Sequence, residues 1–278
     1  LLGFYLNKGA DYTWHDVCML SVVFFLFGVH RMDRALYLAM SGGKQVMHAQ
    51  TIRANNLANV NTTGFRADFE QARAMPVYGE HFASRVYAMT ENPATRYEAG
   101  ALIQTDRSLD VAMKSDGFIA VLDAQGAEAY TRSGDLQITA NGQLVNGSGL
   151  PIMGARGPIF LPPINEISIG EDGTISIVPE GGTAAEMATI GQIKLVNPDT
   201  QLIEKGTDGL IRAKTGVPFE QNLTAQLKSG FLESSNVSAV EELTKIMSLS
   251  RQFEMNIKVM DTVRNNGNAS ARILQRNA

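Results

Sequence analysis

Two stretches with apolar residues at helical spacing frame a middle in which the period drops to two. From Asp33 to about Asn59, Leu36, Met40, Gly43, Met47, Ala54 and Leu57 recur at intervals of three, four and seven with no proline among them, which predicts one amphipathic helix. Gln50 interrupts the stripe, and Gly42-Gly43 lowers intrinsic helicity by about 1 kcal/mol per glycine relative to alanine while allowing another helix to come close. At the other end Ser238-Ala239-Val240-Glu241 has the form of a capping box, with Ser at the N-cap and Glu three residues on. Behind it Leu243, Ile246, Ser250, Phe253, Ile257, Met260, Arg264, Gly267, Ala271 and Leu274 keep a strict three-four spacing. Its polar members weaken the second half, and Asn265-Asn266-Gly267 predicts a break there. Two readings stay open: helices packed on a domain core, or a coiled coil made by the two chain ends.

Between the helices the pattern is that of strands. Leu136 and Ile138, then Asn141-Gly142, then Leu144 predict a hairpin with a type I′ turn, and Ile167/Ile169, Asp172-Gly173 and Ile175/Ile177 predict a second. Phe118–Leu122 and Ile190–Val196 read as further strands, and Asp208-Gly209 as another turn. The domain reading is therefore an α+β chain. A helix and its following motif occupy 32–65, an extended connector with Pro76 and Pro93 occupies 66–99, a mainly antiparallel β domain 100–232, and a second helix 233–278.

Residues 1–31 fit neither pattern. They carry the apolar run Val17–Val29, flanked by Trp14-His15-Asp16 and His30-Arg31, which is too short to cross a bilayer and lacks the basic start of a secretory signal. Met32-Asp33-Arg34-Ala35-Leu36-Tyr37 reads as a protein start, so 1–31 is expected to be upstream sequence foreign to the fold.

Composition adds mostly exclusions. With 19% charged and 44% hydrophobic residues and a net charge of −4, the chain has an ordinary globular balance and no basic face for a nucleic acid. One cysteine, Cys18, allows no intramolecular disulfide. The four histidines (His15, His30, His48, His81) show no metal-ligand spacing. Gly147-Ser148-Gly149 lacks the spacing of a phosphate loop and reads as a turn. Asp106 and Asp110 flank Arg107, which suggests an ion pair rather than a catalytic acid. No enzyme, cofactor or metal is expected.

One segment departs from helix composition. Asn55-Asn56-Leu57-Ala58-Asn59-Val60-Asn61 places four asparagines in seven residues, ahead of Thr62-Thr63-Gly64-Phe65. Asn is a weak helix former, but its amide can bridge neighbouring backbones. A fraying helix end is the alternative. This stretch, some twenty residues after Met32, resembles the N-terminal signature of the flagellar basal-body rod and hook axial protein family. Gly230-Phe231-Leu232-Glu233-Ser234-Ser235-Asn236-Val237, leading into Phe253-Glu254-Met255, resembles its C-terminal signature. Arg107–Ala112, Asp116-Gly117-Phe118 and Tyr130–Gly134 are similar to its middle. The start at Met32 and Arg66–Ala72 favour the proximal-rod branch, with a distal-rod or hook subunit as the near alternative and a secreted β-rich adhesin as the distant one.

The resemblance implies a structural subunit that polymerises helically with other rod subunits. Its terminal helices would pair as a coiled coil lining a tube, with the β domain outside. It also implies passage through the flagellar type III export apparatus to a periplasmic rod, with no cofactor, nucleic acid or small-molecule substrate. The expected assembly residues are Leu36, Met40, Met47, Asn55, Asn56, Leu57, Asn59, Thr63, Gly64 and Phe65 at one end, and Leu243, Ile246, Phe253, Ile257 and Met260 at the other.

Overall fold

The computed structural model describes residues 34–76, 78, 86–179, 181 and 187–276. The 1–31 segment, with Cys18, His15 and His30, and also His81, lie outside the described residues. The chain forms two compact units. One contains Arg73–Met89, Leu249 onward and the first helix up to His48; the other contains Ala49–Ala72 and Thr90–Ser248.

Helix α1 spans Arg34–Ala58 and helix α2 spans Ala239–Arg276. The Ser238 hydroxyl accepts from the Glu241 N–H at 3.5 Å, so half of the capping box forms, and the Glu241 carboxylate pairs with Lys245. The expected break at Asn265-Asn266-Gly267 is absent: α2 is continuous, because an exposed glycine lowers propensity without removing a hydrogen bond.

The β region holds its core in the second unit. A five-stranded antiparallel sheet runs in the order Leu195–Val196, Phe118–Leu122, Glu128–Thr131, Ile211–Ala213, Ile203–Lys205. Phe118–Leu122 is an interior strand of this sheet and contributes to cores on both faces. Ile119 and Val121 join Leu136, Leu144, Ile175 and Leu195 in the main core, while Phe118 and Ala120 join Tyr130, Ile203 and Ile211 on the other face. A three-stranded antiparallel sheet of Ile164–Ile169, Thr174–Pro179 and Ala188–Gln192 contributes Ile167, Ile169, Ile175 and Ile177 to the main core. The expected strand at Ile190–Val196 is thus two, belonging to different sheets.

Both predicted hairpins form, with Ile138 opposite Leu144 and Ile169 opposite Ile175, one residue away from the register a two-residue turn would set. Their turns differ from expectation. A type I′ turn needs positive φ at both central residues, yet among the described residues Asp106 is the only non-glycine with one. The Gly142 N–H donates to Thr139 O and the Thr139 N–H to Gln143 O, with φ +77° confined to Gly142, which is a type I turn closed by a glycine bulge. The same pair of bonds recurs at Asp123–Ala127, Asn146–Leu150, Gly170–Thr174 and Gly206–Leu210. Asp123 Oδ1 and Asn146 Oδ1 each accept two further backbone N–H groups within their turns.

The 66–99 stretch is not a plain connector. Asp68–Pro76 and Val86–Thr95 pair as a two-stranded sheet, started by Arg96 N–H to Ala67 O at 2.8 Å and Thr95 Oγ1 to Asp68 Oδ1 at 3.0 Å. The strands alternate too weakly in hydropathy for their pairing to be read from the sequence. The β domain closes by bringing its ends together. Leu102–Gln104 pairs antiparallel with Phe231–Glu233, and Val111–Met113 with Leu227–Ser229, and the Gly64 N–H donates to Glu233 O at 2.8 Å, so the exit of α1 and the entrance of α2 meet.

Candidate assembly surface and helix-root junction

The helices bury faces rotated from those expected. In α1 the buried side is Ala39, Gly43, Val46, Ala49, Ile52 and Asn56. Met40 and Met47 are exposed, at 54% and 56%, while Leu36 and Leu57 are half-buried. The expected stripe followed the large apolar side chains. The packed one follows small residues because the opposing helix comes close: a Cβ placed on Gly43 would lie 3.7 Å from the Phe253 ring, and one on Gly42 3.5 Å from Asn256 Oδ1. Leu36 lines a small cleft with Met260, Val263 and Gly267, so this part of α2 runs antiparallel to α1. On α2 Ile246, Phe253 and Met260 are half-buried as the spacing suggested, whereas Leu243 and Ile257 are exposed. Glu242, Leu249, Asn256 and Val263 take the remaining inward positions, keeping the seven-residue repeat with polar members in it.

The asparagine-rich segment turns out to be a joint. Asn56 is fully buried; its Nδ2 donates to Asp68 O at 2.7 Å and its Oδ1 accepts from Asp68 N–H at 3.0 Å, reproducing a strand pair with one side chain. That removes Asn56 from any surface of the subunit and corrects its expected place in the assembly interface. Asn59 closes the helix end, donating from Nδ2 to Asn55 O at 2.9 Å and accepting from Thr62 Oγ1 at 3.1 Å. Thr63 Oγ1 donates to Asp135 Oδ1 at 3.3 Å. Phe65 is half-buried beneath Lys205, whose Nζ stands 4.0 Å from the ring centroid and also bonds Arg66 O and Asp68 Oδ2. Gly64 has φ +65°, and a Cβ there would fall 2.3 Å from the Arg132 carbonyl carbon, so the backbone itself passes between neighbours.

Beneath this joint lies a buried charge cluster that the sequence reading did not single out. Glu233 is 1% exposed, with Arg66 Nη2 at 2.7 Å from Oε1 and Arg132 Nη1 at 3.0 Å from Oε2. The Gly100 N–H donates to Oε1 at 2.8 Å, and Arg66 Nη1 donates to Glu98 O at 2.6 Å. Arg132 also lies over the Phe118 ring at 5.2 Å. Burial pushes the Arg66 guanidinium below its usual pKa, with the Glu233 charge acting against that shift. The signal was present: Arg66, Arg132 and Glu233 all sit inside the recognised motifs, but only the fold shows that the motifs converge. A second ion pair, Arg53 Nη1 to Glu242 Oε1 at 3.2 Å, joins α1 to α2 above it. Arg107 pairs with Asp110 at 3.3 Å, the ion pair expected there.

Among the described residues no group of His, Cys, Asp and Glu is arranged to hold a metal, and no helix is long and apolar enough to cross a membrane. A groove of about 1090 Å³ lies between the α1 exit and the β turns and is lined largely by Asn, Thr, Ser and Asp.

Three segments match known families: residues 36–66 "Flagella basal body rod protein", 112–177 "Flagellar hook protein FlgE/F/G D1 domain", and 228–273 "Flagellar basal body rod FlgEFG protein C-terminal". The chain is 38% identical to the flagellar basal-body rod protein FlgF of Escherichia coli over 249 residues, covering 87% of this chain and 99% of that one. Against FlgF of Caulobacter vibrioides it is 34% identical over 237 residues, covering 83% and 93%. Against the rod protein FlgG of Bacillus subtilis it is 30% identical over 253 residues, covering 83% and 95%. Arg66, Arg132 and Glu233, which converge at the helix roots, fall inside these three segments, and the chain belongs to the flagellar basal-body rod protein family, of the FlgF-like kind.

Proposed function

We propose that this protein is a structural subunit of the flagellar basal-body rod, of the proximal FlgF type, and that it acts by assembly alone. The observation that carries the reading is the full-length similarity to FlgF, with all three family segments falling on the elements that build the helix pair, its roots and the β domain. The terminal helices pair as a coiled coil, with Phe253 and Asn256 packed into the Gly42-Gly43 notch. Their outer faces carry Met40, Leu243, Met247, Ile257 and Val259, which are exposed in the single subunit and pack against neighbouring rod subunits in the polymer. A contact repeated between unlike surfaces, when its rotation does not close into a ring, propagates as a helical tube. Export through the flagellar apparatus precedes this assembly.

Localisation tests it. In a strain lacking the gene, a tagged copy should restore motility and co-purify with hook–basal bodies at rod stoichiometry. An adhesin would restore neither and would partition with the cell envelope. Recovery in the distal rod or hook alone would assign it to another branch of the family.

A further inference from the structure

The Arg66–Glu233–Arg132 cluster is an expensive way to hold a fold. Buried ion pairs are often matched by apolar replacements of the same shape, and here Arg66 Nε and Arg132 Nε find no acceptor among the described residues. Its position suggests a different role. Two single chain segments, 61–66 leading from α1 into Asp68–Pro76 and 234–237 leading from Phe231–Glu233 into α2, join the helix roots to the strands. Free segments of that length would swivel about their backbone dihedrals.

We propose that Glu233, with Arg66, Arg132 and Asn236, forms a torsionally stiff junction that passes force between the helix roots and the β domain. The inference rests on the rod reading. Each segment is held at several backbone atoms. The Gly64 N–H donates to Glu233 O at 2.8 Å, and the Asn236 N–H to Phe65 O at 3.3 Å. Asn236 Oδ1 accepts from Ala67 N–H at 2.7 Å, while its Nδ2 donates to Arg96 O at 2.9 Å and Glu98 O at 3.0 Å. One asparagine thus ties the α2 entrance to the start of Asp68–Pro76 and to the end of Val86–Thr95, and one carboxylate ties the same entrance to Gly100 and to Arg132 beyond Glu128–Thr131. Two glycines set the closeness: a Cβ on Gly100 would stand 2.0 Å from Ser234 O, and Gly64 is equally tight. Hydrogen bonds and charge pairs of this kind are directional and resist rotation, whereas apolar side chains can slide past one another. Glu233 and Asn236 are positioning residues: Glu233 is buried and Asn236 half-buried, and both fix how the helix roots leave the β domain.

The test uses the full chain in a Cys18→Ser background, spin-labelled at Met247→Cys on α2 and Thr215→Cys on the β domain, both exposed positions. Distance distributions are measured for the parent, Glu233→Gln and Asn236→Ala. The parent should give one narrow peak, and both variants should broaden it about twofold or more while the β domain retains its strand circular dichroism. If Glu233→Gln fails to fold, Asn236→Ala decides alone. Unchanged widths overturn the junction. The same variants, expressed in cells, should still enter hook–basal bodies but lose swimming speed disproportionately as medium viscosity rises; a speed loss that merely follows reduced incorporation overturns the mechanical role. If the parent is absent from basal bodies, the rod reading fails while the width comparison still stands.

Discussion

Phe253 and Ile257 lie one turn apart on α2, and a hydropathy reading treats them alike. The structure separates them. Phe253 is half-buried with its ring against Gly43, whereas Ile257 is 40% exposed. Truncating a fully buried Phe to Ala costs about 3–5 kcal/mol, so half-burial sets the cost of Phe253→Ala at roughly 1.5–2.5 kcal/mol of helix pairing. Ile257→Asp acts at a side chain that is 40% exposed and should stay within about 0.5 kcal/mol. In the polymer the order reverses. An aspartate left unpaired in a packed interface costs at least about 3 kcal/mol, more than a hundredfold in affinity. Helical circular dichroism of the isolated full-length protein, followed through a thermal melt, should therefore show a weakened helix pair for Phe253→Ala and a parent-like curve for Ile257→Asp. Recovery in hook–basal bodies should fail for Ile257→Asp. An equal drop in helix stability for both variants would place Ile257 inside the subunit seam, and normal incorporation of Ile257→Asp would refute the outer face as an assembly surface.

Other outcomes test the β domain. Gly100→Ala forces a Cβ to 2.0 Å from a carbonyl oxygen and should cost about 1–3 kcal/mol or more by chemical denaturation, whereas Gly126→Ala meets nothing within 4 Å and pays only for its φ of +81°, about 1–2 kcal/mol. A smaller loss at Gly100 than at Gly126 would contradict the packing described. Asp106 holds φ +58° without being glycine, so Asp106→Gly should change stability by no more than about 1 kcal/mol, in the stabilising direction; a clear loss would mean that its bond from Gln104 outweighs the strain. Arg212 bonds Asp123 and Asp208 and holds both carboxyls below their usual pKa. Their contribution is present above the unfolded carboxylate pKa of about 4 and disappears as pH falls from there through the lower folded values, because the unfolded chain takes up protons first. Unfolding midpoints measured from neutral to acid pH should show that decline, and Arg212→Ala should flatten it; an unchanged slope in Arg212→Ala would exclude the pair as its source.

Much of this molecule is written in local pattern. Period-two alternation marks the strands around Phe118–Leu122 and the two hairpins, because a half-buried strand must alternate wherever it crosses a core. Glycines after Asn141, Asp172 and Asp208 mark their turns, since each sits at the one turn position with positive φ. The three-four spacing of both chain ends and the long motifs carry the family. What the pattern leaves open is phase and partnership. A repeat near 3.6 residues says that α1 has an inward face, but adjacent faces at Met40/Met47 and Ala39/Gly43/Val46 satisfy the same spacing, and only an opposing helix more than 200 residues later in the chain selects the small residues. The turn type at Asn141 and the pairing of Asp68–Pro76 with Val86–Thr95 were likewise decided by the strands they join. Asn56, Arg66, Arg132 and Glu233 read locally as polar residues that belong in water. They are buried because their partners come from other segments, 12 positions away for Asn56 and 101 for the Arg132–Glu233 pair, and each desolvated group is tolerable only once those segments have met.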